Sequence, residues 1–109
     1  MEILTSDNYC IITPLSTKLN KEETLRISKA IEQYQEYNIG LNMDYVKECS
    51  IDFIEKIKSL KNISLFNIAS DIFTILNIMN VDKCVNLYVT EENCKSCTHR
   101  LINRNFRIL

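Results

Sequence analysis

Only one glycine and one proline punctuate this chain, at Gly40 and Pro14. All-β domains turn often and draw heavily on both residues. A sheet-only fold is therefore disfavoured, and the chain should be rich in helix with a modest sheet. The same shortage limits the chemistry. The dinucleotide fingerprint and the P-loop each need several glycines so that backbone can approach a phosphate closely. One glycine supplies neither, which argues against nucleotide-dependent catalysis.

The 109 residues are enough for one small domain with a single hydrophobic core. A content of 46% hydrophobic and 25% charged residues is that of an ordinary soluble globular chain. The net charge of −1 argues against a dedicated nucleic-acid binder, which carries a basic excess. No apolar run approaches the ~20 residues of a membrane span, and the opening MEILTSDNYC lacks the features of a secretory signal. Five cysteines (Cys10, Cys49, Cys84, Cys94, Cys97) make an odd number set among apolar neighbours. They read as reduced thiols of a cytoplasmic protein and not as a secreted disulfide framework.

Apolar runs and amphipathic stretches alternate along the chain. Tyr9 to Thr13 (YCIIT) reads as a strand, and Pro14 ends it because it has no N–H for a ladder. Asn20 caps a helix over about residues 21–36, with Leu25, Ala30, Ile31 and Tyr34 at helical spacing and Ile27 on the flank. Asn38 to Met43 is a second strand, its Ile39, Leu41 and Met43 alternating with Gly40 and Asn42. A polar loop from Asp44 to Cys49 leads to Ser50. There a helix begins that carries Ile51, Ile54 and Ile57 with Phe53 and Leu60. Ile63 to Ile68 is nearly continuous in apolar character, which suits a central strand. A helix from Ser70 or Asp71 presents Ile72, Phe73, Ile75, Leu76 and Met79 as a wide stripe. Val85 to Val89 is the last strand, and Thr90 caps a fourth helix with Cys94, Cys97 and Leu101 on one face. The order β-α-β-α-β-α-β-α predicts an α/β fold: a small mixed, mostly parallel sheet of about four strands with four helices packed beside it.

Ser50 is the residue of most interest. A hydroxyl between a strand's end and a helix's start lies where backbone N–H groups point outward and the helix dipole favours negative charge, a good place for a phosphate. It is equally an ordinary N-cap. No catalytic triad assembles around His99, the single histidine. The run Cys94-Lys95-Ser96-Cys97-Thr98-His99 has the spacing of a thiol pair plus histidine. A structural zinc site wants four ligands, and redox pairs open a helix where this pair starts about a turn in. Thiols packed on the apolar face of the last helix are the leading reading; a small redox or metal protein using Cys94, Cys97 and Cys49 is the remaining one. Lys95, Arg100, Arg104 and Arg107 follow Glu92 with no further acid, interleaved with Leu101, Ile102, Phe106, Ile108 and Leu109. Such a tail either closes the core or docks an acidic partner or neighbouring subunit.

Three stretches carry a family resemblance. They are the helix Leu19 to Tyr34, the segment NIGLNMDYVKECSIDFIEKIKSL, and ISLFNIASDIFTILNIMNVDKCVNLYVTEEN. Together they resemble a STAS domain, the fold of bacterial anti-sigma factor antagonists and of the cytoplasmic tails of sulfate transporters. The resemblance spans about residues 8–93 and implies a non-enzymatic binding module that needs no cofactor. In that family an Asp-Ser-Ser/Thr-Gly loop holds a serine phosphorylated by a kinase-type anti-sigma partner. Ser50 matches the hydroxyl position, while Cys49, Ile51 and Asp52 replace the aspartate, the second hydroxyl and the glycine. The resemblance implies that Asp44, Tyr45, Lys47, Glu48, Cys49, Ser50 and Asp52 form the partner surface, with Ser50 as the phosphorylation candidate. The alternative within the family is a constitutive scaffold without the switch. The sequence leaves open a homo-oligomer, and whether Met1 to Asp7 add a strand.

Overall fold

In the computed structural model residues 1–101 are described. In chain order they form β1 (Glu2–Ser6), β2 (Tyr9–Thr13), β3 (Lys18–Leu19), α1 (Lys21–Gln33), β4 (Asn38–Asn42), β5 (Glu48–Cys49), α2 (Ile51–Ser59), β6 (Ile63–Phe66), α3 (Ser70–Ile78), a 3-10 turn (Val81–Lys83), β7 (Asn86–Leu87) and α4 (Glu91–Ser96). The tail residues Ile102, Arg104, Phe106, Arg107, Ile108 and Leu109 lie outside the described residues.

The main sheet has the order β1-β2-β4-β6-β7. β2, β4, β6 and β7 run parallel, each beside its predecessor in the list, as crossovers through α1, α2 and α3 require. β1 is one strand more than the four expected. It joins antiparallel to β2 through a two-residue turn at Asp7-Asn8, with Ser6 opposite Tyr9 and Glu2 opposite Thr13.

The period-two alternation of the strands separates two faces. On one face Cys10, Ile12, Ile39, Leu41, Ile63, Leu65 and Leu87 join Ile27 and Ile31 of α1, Phe53, Ile54 and Ile57 of α2, and Ile72 and Leu76 of α3 in a single core. On the other face Ile11, Phe66 and Tyr88 pack with Cys94 of α4, and Tyr9 borders them. Gly40 lies beneath that second layer. A Cβ there would come within 3.0 Å of Tyr9 Oη, 3.1 Å of Ile11 Cδ1 and 3.2 Å of Phe66 Cε1.

With glycine so scarce, asparagine takes the left-handed turn positions. Asn62, Asn67 and Asn80 have φ of 60°, 57° and 61°. Their short polar side chains tolerate that region better than other non-glycine residues do.

Three helical faces differ from the periodicity. In α1, Ile27 is buried and Leu25 is exposed, so the core stripe is rotated toward Thr24, Ile27, Ser28 and Ile31. In α2 and α3, Ile51 and Ile75 are exposed although they sit at core spacing. Ile51 occupies the first helical position, where α2 has only just begun. The last helix is shorter than its pattern suggests. α4 stops at Ser96, Cys97 turns left-handed as its C-cap, and Leu101 bridges antiparallel to Leu87. Cys94, Cys97 and Leu101 therefore do not share a helical face, and His99 is exposed beyond the helix with φ of 57°.

Candidate docking surface

Ser50 sits at the end of the sheet where the parallel strands finish, and backbone hydrogen bonds define its surroundings. β4 ends at Asn42, and Met43 and Val46, both buried, anchor a turn closed by Val46 N–H donating to the Met43 carbonyl at 3.0 Å. Asp44 and Tyr45 form the exposed corner of that turn. Lys47 and Glu48 then donate their N–H groups to the Thr17 carbonyl at 2.7 and 3.0 Å, and Ser50 N–H donates to the Leu19 carbonyl at 3.0 Å. The loop is thereby stitched to the segment before α1, forming the short parallel pair β3–β5 with Lys18 opposite Glu48 and Leu19 opposite Cys49. Two two-residue strands are too short to leave a pattern in sequence, so this pair was not foreseen.

That pair sets two helix starts side by side. Asn20 caps α1, its Oδ1 accepting from Glu23 N–H at 3.0 Å. Ser50 caps α2, its Oγ accepting from Phe53 N–H at 3.3 Å. A shallow groove of about 160 Å³ between them is lined by Lys18, Leu19, Asn20, Glu48, Cys49 and Ser50. Glu22, Glu23 and Asp52 occupy the first turns of the two helices, where the dipoles favour them. Glu48 is exposed and faces Lys18 at 3.8 Å, a separation worth little in solvent. From Asp44 to Asp52 three acids outnumber one lysine, so the segment carries −2. Cys49 is half-buried, and burial pushes its thiol up to about 12, which leaves it protonated and unreactive.

A side-chain relay fastens the surface to the sheet. Asn42 donates to Thr13 Oγ1 at 3.3 Å, while its Oδ1 accepts from Asn67 Nδ2 at 3.0 Å and from the Asp44 N–H at 3.1 Å. The relay ties the ends of β2, β4 and β6 to the first residue of the loop. In the sequence Asn42 is only the polar member of an alternating strand, and nothing in that pattern distinguishes a relay from a solvated side chain.

All seven residues assigned to the partner surface fall on this one segment. Asp44, Tyr45, Lys47, Glu48 and Asp52 are exposed, and Cys49 and Ser50 are half-buried. Two apolar residues left out of that set face the same end of the sheet. Ile51 is 54% exposed next to Ser50, and Leu15 is 49% exposed in the loop that supplies the Thr17 carbonyl. With Tyr45, also 49% exposed, they give an acidic surface an apolar component.

The cysteines are distributed over β2, β5, the residue after the 3-10 turn, and α4 with its C-cap. All five are free. Cys94 is buried against the Tyr9 hydroxyl, Sγ to Oη 2.6 Å, and burial raises both groups. Cys97 is exposed past the end of α4. Among the described residues no group of three or more His, Cys, Asp or Glu side chains is placed to hold a metal ion. A cavity of about 390 Å³ lies at the other end of the sheet between the starts of the strands and α4. No helix among the described residues is long and apolar enough to cross a membrane.

A mixed sheet of order β1-β2-β4-β6-β7, α1 to α3 on one face, and a strand-end loop leading into a capped helix together make a STAS-like fold. The solved structures agree. The crystal structure of TM1081 from Thermotoga maritima, a candidate anti-sigma factor antagonist, superposes with a TM-score of 0.72 at 20% identity, covering 89% of this chain and 92% of that one. The NMR structure of TM1081 gives a TM-score of 0.73 at 21% identity, with coverages of 86% and 84%. No protein-family model and no curated protein matches the sequence.

Proposed function

We propose that this chain is a non-enzymatic regulatory module of the anti-sigma factor antagonist type, working in the cytoplasm of a bacterium. It binds a kinase-type anti-sigma partner through the Asp44–Asp52 segment. The observation that carries the reading is a STAS-like fold whose strand-end loop is rigidly stitched yet outwardly exposed at Tyr45 and Ile51. A surface held in place by backbone hydrogen bonds, with apolar and charged side chains exposed together, binds without a large ordering cost. The −2 charge of the segment suits a partner with a basic rim.

Phosphorylation of Ser50 would add roughly −1.5 to −2 charge to a segment that is already acidic. At a helix N-terminus that charge is tolerated by the fold, so its effect falls on docking, through repulsion and desolvation. The cap bond from Phe53 N–H to Ser50 Oγ favours a second reading. The hydroxyl oxygen is already engaged and half-buried, as suits a constitutive scaffold in which Ser50 is purely a cap.

Affinity capture from the native cell, with the intact protein and its Ser50→Ala and Ser50→Asp variants as bait, tests both. A kinase-type partner held by the parent and by Ser50→Ala, but lost from Ser50→Asp, supports the switch. Equal capture by both variants leaves the scaffold. No specific protein captured by any bait refutes the interaction module itself. Mass spectrometry of the native protein for a phosphate on Ser50 separates the two readings independently.

A further inference from the structure

The two edges of the main sheet are unequal. At one edge β7 is only two residues long, and Leu101 bridges its outer side, with Leu101 N–H donating to the Leu87 carbonyl at 2.7 Å. At the other edge β1 runs for five regular residues, EILTS, and among the described residues no element of the sheet lies beyond it. An antiparallel ladder turns every second residue's N–H and C=O outward, so β1 offers a row of bonding groups. Monomeric proteins protect such an edge with proline, lysine, a bulge or a covering loop. β1 contains neither proline nor lysine, its one charge is Glu2 at the strand's first position, and its register with β2 is unbroken from Glu2 to Ser6.

We infer that β1 is a self-association edge: two copies of this chain pair β1 with β1 antiparallel about Leu4, joining two five-stranded sheets into one. The sequence of the strand is self-complementary in that register. Leu4 meets Leu4 on the twofold axis, Ile3 meets Thr5, and Glu2 meets Ser6, so no like charges oppose each other. It is also the register in which all five residues find a partner. A shift of one residue would set outward-facing bonding groups against inward-facing ones, and a shift of two would leave two residues of each strand unpaired.

The side chains suit the pairing. Leu4 lies opposite Ile11 of β2 on the sheet face that α4 covers only in part, and is 68% exposed. Across the axis, Ile11 and Leu4 of one copy would continue into Leu4 and Ile11 of the other. That makes an apolar row four strands wide, in which each leucine gains the cross-strand neighbour it lacks. Ile3, on the opposite face, already packs against the core and holds β1 in place. The edge is thus preformed, and pairing orders no new segment.

Sedimentation velocity of the whole chain over a wide concentration range tests this. The expected result is a reversible monomer–dimer equilibrium. Leu4→Lys sets two ammonium groups face to face on the axis and should weaken the dimer at least about tenfold, while the melting temperature of the dilute protein stays near the parent's because Leu4 is exposed. Ser6→Lys sets a lysine opposite Glu2 twice per dimer and should tighten it, and Ser6→Glu should loosen it. The amide signals of Ile3 and Thr5 should shift with concentration in NMR spectra. A protein that remains monomeric at all concentrations overturns the inference, as does a dimer that Leu4→Lys leaves intact.

Discussion

Replacing Asn42 by alanine should show how firmly the docking segment is tied to the sheet. Its side chain takes part in three hydrogen bonds, to Thr13 Oγ1, Asn67 Nδ2 and the Asp44 N–H. Each is worth about 1 kcal/mol net, less for the 3.3 Å bond to Thr13. Asn42 is half-buried, so water replaces part of what is lost, and a total near 2 kcal/mol is expected. For a domain of this size that lowers the melting temperature by about 10 °C. Thermal unfolding followed by circular dichroism gives the global number. Amide hydrogen exchange gives the local one: the Asp44 N–H loses its acceptor and should exchange faster, while the Val46 N–H keeps its bond to Met43 and should not change. Asn42→Asp keeps both acceptor roles and lets the Thr13 hydroxyl donate instead, so it should cost clearly less than alanine. A loss under about 0.5 kcal/mol for Asn42→Ala, or an unchanged Asp44 exchange rate, would refute the relay.

Other tests address the rest of the molecule. Gly40→Ala forces Tyr9, Ile11 and Phe66 outward and should cost about 1–3 kcal/mol by calorimetry, the usual penalty for overpacking; an unchanged or raised melting temperature would show that α4 yields easily. Titration with a thiol reagent should find two fast cysteines, Cys84 and Cys97, and three slow ones, Cys10, Cys49 and Cys94; five equal rates would contradict the burial pattern. Burial raises the Cys10, Cys49 and Cys94 thiols and the Tyr9 phenol, Cys49 from 9.0 to about 12. The folded state therefore holds these protons to higher pH than the unfolded state does. The contribution of Cys49 is complete below about pH 9 and is lost as pH rises toward 12. Urea unfolding midpoints should decline over that interval, and Cys49→Ala should flatten part of the decline; a level profile would overturn the assignment.

The alternation of β-branched runs with amphipathic stretches was sufficient to specify an α/β sheet with parallel strands, because periods of 2 and 3.6 are local properties of the chain. Caps at Asn20, Ser50 and Thr90 were legible for the same reason: each side chain bonds a backbone group three residues on. The position of Ser50 at the end of a strand followed from those two facts. What lay beyond the sequence depended on height along an element or on partners far away in the chain. Helical spacing placed Ile51 in the core, but it is the first residue of α2 and remains exposed. Cys97 and Leu101 matched a helical face that ceases to exist after Ser96, where Leu101 instead meets Leu87. The pair β3–β5 joins residues 30 apart through two rungs, and the Asn42 relay joins three strand ends through side chains alone. Local pattern thus determined the four parallel strands, the four helices and their order, while β1 and the pair β3–β5 lay outside it. Tertiary packing decided which apolar residues remain outside and how the segment around Ser50 is held, because only the assembled sheet brings Thr13, Thr17, Asn42 and Asn67 within hydrogen-bonding reach of that segment or of one another.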